Sequence, residues 1–118
     1  MRIDVDPSGN AWLVNNSGGI FWWNGSAWEN RNNSYPYFTD VGVEANDSAW
    51  AIGQTGVVVG GGFIYRWNGS GWTQMPGAAQ RVSVDMYGNA WLVNSGHNVY
   101  RWNGSGWQLL PGLANDVG

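Results

Sequence analysis

The chain has 118 residues with a formal net charge of −3, no lysine and five scattered arginines, a balance that argues against a nucleic-acid or anionic-membrane surface. With no cysteine to staple it, much of its core must come from ten tryptophans; at roughly 150–250 Å² per buried aromatic and about 25 cal/mol/Å² these bring at most some tens of kcal/mol gross. No apolar run follows Met1 and no stretch approaches transmembrane length, so neither a signal peptide nor a membrane span is expected, which points to the cytoplasm or to non-classical secretion.

Read in order, the chain repeats itself. Ile3-Asp4-Val5 alternates in polarity, turns at Pro7-Ser8-Gly9-Asn10, and continues as Trp12-Leu13-Val14. A third run, Ile20–Trp23, leads into Asn24-Gly25, and a short fourth run starts at Trp28. The second copy reads Val41-Gly42-Val43, turn Asn46-Asp47-Ser48, Trp50-Ala51-Ile52, Ile64–Trp67, Asn68-Gly69 and Trp72. The third reads Val82-Ser83-Val84, turn Tyr87-Gly88-Asn89, Trp91-Leu92-Val93, Val99–Trp102, Asn103-Gly104 and Trp107. Period-two runs separated by turn residues are strands. Asn-Gly between two such runs predicts a type I′ hairpin, with positive φ at both central residues. Four short strands repeated at a period near forty residues describe propeller blades.

The expected blades are Arg2–Phe38, Thr39–Gln80 and Arg81–Ala114, with residues 115–118 beginning a fourth repeat. Trp12/50/91, Trp23/67/102 and Trp28/72/107 correspond and are expected to form blade-to-blade core, with Trp22 the extra one. Three blades cannot close a ring, and natural rings have about four to eight. A homodimer closing six blades is therefore expected. Two insertions break the regularity. Trp50 to Trp67 spans 17 positions where Trp12 to Trp23 spans 11, placing the extra length in a loop at Gln54–Gly62. The other insertion is Asn30–Phe38. With strands labelled a to d in each blade, both fall on the rim that carries the b–c and d–a connections. Variable loops on a rigid scaffold mark a candidate functional face.

The segment VSVDMYGNAWLVNSGHNVYRWNGSGWQLLPG resembles a tectonin repeat: an apolar strand, Gly, a Trp strand ending in Asn, an Ile/Val-Tyr-Arg strand, Gly, Trp and Pro-Gly. The first repeat matches over nearly its whole length. The second departs at its loop and at Gly53, which stands where Asn15 and Asn94 stand. The resemblance implies a β-propeller lectin that binds glycans, often on microbial surfaces, in clefts between blades. Asp6/Gly9/Trp12 and Asp85/Gly88/Trp91 also resemble Asp-box turns, which are structural and imply no active site.

The candidate glycan-binding residues are Asn15, Asn16, Trp22, Tyr35, Tyr37, Asn94 and His97. Amides offer both donor and acceptor to vicinal hydroxyls, and aromatic walls suit sugar C–H faces. Each also has a plainer role: Asn15 and Asn94 as turn caps, Tyr35 and Tyr37 as packing for the long d–a connection, and His97 as a loop residue. No metal or other cofactor is expected, since His97 has no second histidine or cysteine beside it. Catalysis is not expected either, because no nucleophile with its base, phosphate loop or carboxylate pair emerges. The alternative to a lectin is a non-enzymatic protein-interaction propeller, or a designed or truncated half-propeller scaffold, since one fold serves many roles.

Overall fold

The structure, a computed structural model, describes residues 1–6, 8–35, 37–45, 48–58 and 61–117, with the backbone alone at 54–58. The described residues form twelve strands and no helix. The first sheet holds β1 (Arg2–Val5), β2 (Ala11–Val14), β3 (Ile20–Trp23) and β4 (Trp28–Asn30). The second holds β5 (Phe38–Glu44), β6 (Ser48–Val58), β7 (Gly61–Trp67) and β8 (Trp72–Ala79). The third holds β9 (Arg81–Val84), β10 (Ala90–Val93), β11 (Asn98–Trp102) and β12 (Trp107–Leu113). Every sheet is an antiparallel meander in chain order, so the chain is all-β, built of three four-stranded blades.

The turns explain the repeat. In blade 1 the Asp6 carboxylate accepts from the N–H groups of Ser8 and Asn10, and Asp85 does the same for Tyr87 and Asn89 in blade 3. These Asp-box turns set the a–b corners. The Asp85 carboxylate also accepts from Trp91 Nε1. What desolvation it suffers opposes ionisation, yet these hydrogen bonds outweigh it and hold Asp85 below its ordinary pKa. The blade 2 counterpart, Asn46-Asp47, lies outside the described residues.

The c–d corners differ from expectation. Trp23 pairs with Trp28, Trp67 with Trp72 and Trp102 with Trp107, so each loop has four residues rather than two. Asn24, Asn68 and Asn103 keep negative φ and use the side-chain oxygen to accept from the N–H groups two and three residues on. Only the glycine is left-handed, at φ 98°, 102° and 99° for Gly25, Gly69 and Gly104. An Asx cap followed by glycine closes the loop, which a two-residue type I′ turn was expected to do.

The Gln54–Gly62 insertion is not a loop either. It lengthens β6 to Val58 and starts β7 at Gly61, with Gly53 opposite Phe63 and Val58 opposite Gly61. Five steps on one strand against two on the other make a large bulge in a continued hairpin. Residues 59–60 at its tip lie outside the described residues.

Two aromatic cores sit between neighbouring blades. Trp12 of blade 1 is fully buried against Trp67 and Trp72 of blade 2, with ring centroids 5.7 and 5.6 Å away. Trp50 of blade 2 meets Trp102 and Trp107 of blade 3 at 5.6 Å in both cases. Edge-to-face and tilted packing suits the charge distribution of the rings. Expected as core throughout, the tryptophans differ in burial: Trp12, Trp50, Trp67 and Trp72 are buried, Trp23, Trp91, Trp102 and Trp107 half-buried, and Trp28 exposed.

The a strands are braced to one another by carboxylates. Asp4 accepts from Val43 N–H at 2.7 Å, and buried Asp40 accepts from Val82 N–H at 2.9 Å. Burial pushes the Asp40 carboxyl up, against the lowering effect of its backbone hydrogen bonds and of Arg2 and Arg81.

Candidate functional site

Antiparallel meanders place the a–b and c–d corners on one rim and the b–c and d–a connections on the other. The seven sequence-derived site residues do not converge. Trp22 sits at the c–d end of β3, on the rim opposite the other six, because one strand length separates it from the b–c corner. It packs against the first core, and its Nε1 donates to Asn10 Oδ1 at 3.0 Å.

On the b–c/d–a rim the amides hold turns. Asn15 Oδ1 accepts from Ser17 and Gly19 N–H, and Asn94 Oδ1 from Gly96 and Asn98 N–H. Asn16 Oδ1 takes the N-terminal ammonium at 2.7 Å. His97 is left-handed at φ 66°, and its Nδ1 lies 3.2 Å from Ala114 O, securing the end of β12. Tyr35 turns inward, its ring 4.7 Å from that of Tyr65, while Tyr37 Oη donates to Asn16 O at 3.3 Å. Asn32 orders this d–a connection, accepting from Ile20 N–H and donating to Gly18 O and Tyr35 O. Nothing in the repeat pattern marked it, since only blade 1 has the insertion.

Tyr35 and Phe38 fill the blade 1–blade 2 junction on this rim. Between blades 2 and 3 the corresponding place is an open cleft of about 280 Å³ whose lining includes Ala78, Asn94, Tyr100 and Trp107. Of the predicted set, only Asn94 lines it.

The larger groove, about 710 Å³, lies on the opposite rim between blades 1 and 2. Its walls are Trp22 and Trp67, with Arg31, Arg66, Ser48, Asn68 and Thr73 around them. Arg31 is the organising residue: its guanidinium carbon lies 4.3 Å from the Trp22 ring centroid and 4.7 Å from that of Trp67. Glu29 sits 3.4 Å from Arg31 Nε. Arg66 forks onto Glu44 through Nε and Nη2 and stacks on Trp50 at 5.1 Å. Blade 1 departs from the repeat here. Trp22 stands at the position of Arg66 and Arg101, and Arg31 at that of Met75 and Leu110, so the stacking cation comes from the residue after β4 instead of from the c strand. Sequence reasoning noticed the odd tryptophan but not its arginine partner, three residues past Trp28, which closes the repeated motif.

The chain is similar in fold to solved propeller structures. YCF48 bound to a D1 peptide superposes with a TM-score of 0.65 at 20% identity, over 93% of this chain and 38% of that one. YCF48 from Cyanidioschyzon merolae gives a TM-score of 0.63 at 25% identity, over 92% of this chain and 35% of that one. These likenesses make the chain a three-blade portion of a β-propeller. It spans somewhat more than a third of the length of each. No family model and no curated protein matches it.

Proposed function

We propose that this chain is a non-enzymatic binding module whose partner is a polypeptide segment, held in the Trp22–Trp67 groove between blades 1 and 2. The observation that carries the reading is the groove itself. At about 710 Å³ it falls within the roughly 300–1,000 Å³ typical of ligand sites. An apolar side chain of the segment packs beside Trp22 and Trp67, while Ser48, Asn68 and Thr73 supply hydrogen-bond partners for its backbone. Tryptophan and arginine are the residue types that most often dominate protein–protein binding energy. The fold-level likeness to a propeller solved with a peptide bound supports the same class of partner.

Glycan binding is the second reading. It rests on the tectonin resemblance and on the small cleft that joins Asn94 to Tyr100 and Trp107, an amide beside an aromatic wall. It is one cleft between blades, where the sequence led to several repeated ones, and Asn94 is the one candidate residue of the seven that lines it.

Peptide display on the immobilised chain, run beside a glycan array, separates the two. Selected peptides should bind the unmodified chain and lose at least about tenfold in affinity with Trp22→Ala, equivalent to about 1.4 kcal/mol. A chain that enriches no peptide yet binds glycans through Asn94 transfers the function to the small cleft.

A further inference from the structure

The two junctions inside the chain differ at one ring. Counted back from Val41 and Val82, which pair with Ala51 and Leu92, Phe38 of the first junction corresponds to Ala79 of the second. Phe38 is fully buried, its ring centroid 5.2 Å from that of Trp72 and 5.9 Å from that of Tyr65. Tyr35 adds a second ring against Tyr65.

Trp107 and Tyr100 are the counterparts of Trp72 and Tyr65, and both line the cleft between blades 2 and 3. Ala79 brings no ring to them. Leu92, where the first junction has Ala51, returns part of the missing volume, and about 280 Å³ stays open. Nor does a second Tyr35 close it, because the d–a connection here is the single residue Gln80. Both blades and that connection lie inside the chain. The cleft is a natural large-to-small exchange in a repeated core.

Volume and lining define what fits. An apolar cavity of about 150 Å³ holds a benzene, so this one admits a single ring with a substituent. It falls just short of the roughly 300–1,000 Å³ of larger ligand sites. Its polar side chains are Asn94 and Tyr100. Asn94 commits Oδ1 to the N–H groups of Gly96 and Asn98, which leaves Nδ2 without an acceptor among the described residues. The lining offers no row of partners for a peptide backbone, such as Ser48, Asn68 and Thr73 give the larger groove.

We propose that the cleft between blades 2 and 3 binds a small phenolic molecule. Its ring packs against Trp107 and Tyr100 as Phe38 packs against Trp72 and Tyr65, and its oxygen accepts from Asn94 Nδ2. The first junction defines the occupant, because the same two walls there enclose an aromatic ring in tilted and edge-on contact. The oxygen follows from Asn94: a plain hydrocarbon would strip water from the half-buried amide and give no acceptor back. The site is separate from the Trp22–Trp67 groove on the opposite rim and does not depend on it.

The test is an NMR titration of the 118-residue chain with p-cresol, read at the Trp107 indole N–H that Trp107→Phe assigns. The signal should shift to saturation at millimolar concentrations, in keeping with so small a ligand. Toluene, the same ring without the oxygen, should bind about threefold or more weakly. Ala78→Leu, which enlarges a lining residue, should keep the β-sheet circular dichroism spectrum and weaken p-cresol by at least about tenfold. Ala79→Phe restores the ring that Phe38 supplies and should abolish saturation; where so large a change disturbs folding, Ala78→Leu carries the comparison. N-acetyl-tyrosinamide should bind no tighter than p-cresol, and a gain of about tenfold would overturn the small-molecule assignment in favour of a polypeptide's tyrosine side chain. A Trp107 signal that p-cresol leaves unmoved, one that methyl glucoside moves instead, or p-cresol binding unchanged by Ala78→Leu overturns the proposal.

Discussion

Truncating Trp50 to alanine probes the principle that builds the blades. Its side chain is fully buried and contacts two other tryptophans, with centroids 5.6 Å away in each case. Removing roughly 150–250 Å² of buried aromatic surface at about 25 cal/mol/Å² forfeits on the order of 4–6 kcal/mol. Two lost aromatic pairs add about 0.5–1.5 kcal/mol each. Against this stands the indole N–H, which is buried without a hydrogen-bond partner among the described residues, a standing cost of about 1–3 kcal/mol that truncation relieves. The net expectation centres on about 5 kcal/mol, at the top of the roughly 3–5 kcal/mol range of such large-to-small changes in cores. Trp50→Phe keeps much of the packing and discards the orphan N–H, so it should cost clearly less. Urea unfolding at neutral pH reads both. A Trp50→Ala loss below about 1 kcal/mol, or one equal to that of Trp22→Ala at its half-buried site, refutes the reasoning.

Asp40→Asn keeps an acceptor for Val82 N–H while removing a buried charge. Because the folded pKa of Asp40 is raised, its protonated form contributes stability that is full below its ordinary value of 3.8 and is lost as pH rises through the folded value. The variant should therefore be no less stable at neutral pH, with a flatter stability profile between pH 3.8 and the raised folded value, by urea unfolding at stepped pH. Asp85 has the opposite sign: its depressed pKa gives stability above the ordinary value that is lost as pH falls through the folded one, and Asp85→Asn should remove that acid-side loss. Asn94→Ala should cost about 1–3 kcal/mol, since it frees two turn N–H groups; any effect on glycan binding must be read beside that loss. Gly42→Ala should destabilise by about 1–3 kcal/mol in the same assay, because its Cβ would lie 3.1 Å from Ser83 Cα on the neighbouring a strand.

The repeat made most of the fold legible. A Trp-flanked run before each Asn-Gly fixed strand c, and the Asp-x-x-Gly corner fixed the a–b turn, because these depend on residues within a few positions. Where the turn chemistry involved a side chain, reading by residue type failed: Asn24 closes its loop through its carboxamide, not through a left-handed backbone. Length alone also misled. Extra residues at 54–58 continue a hairpin, since a bulge absorbs them without ending the ladder. The candidate site was the least legible part. Asn15 and Asn94 are repeated because they cap turns, and repetition itself cannot separate that role from binding. The Trp22–Arg31 stack joins strand β3 to the segment after β4, and only packing brings the two together.

The ten indole N–H signals of an NMR spectrum test the binding account most directly, once assigned through single Trp→Phe variants. Titration with a display-selected peptide should shift the Trp22 and Trp67 resonances first and leave Trp107 unmoved. Shifts confined to Trp107, or a peptide that moves none of the ten, would contradict the claim that the groove between blades 1 and 2 is the binding site.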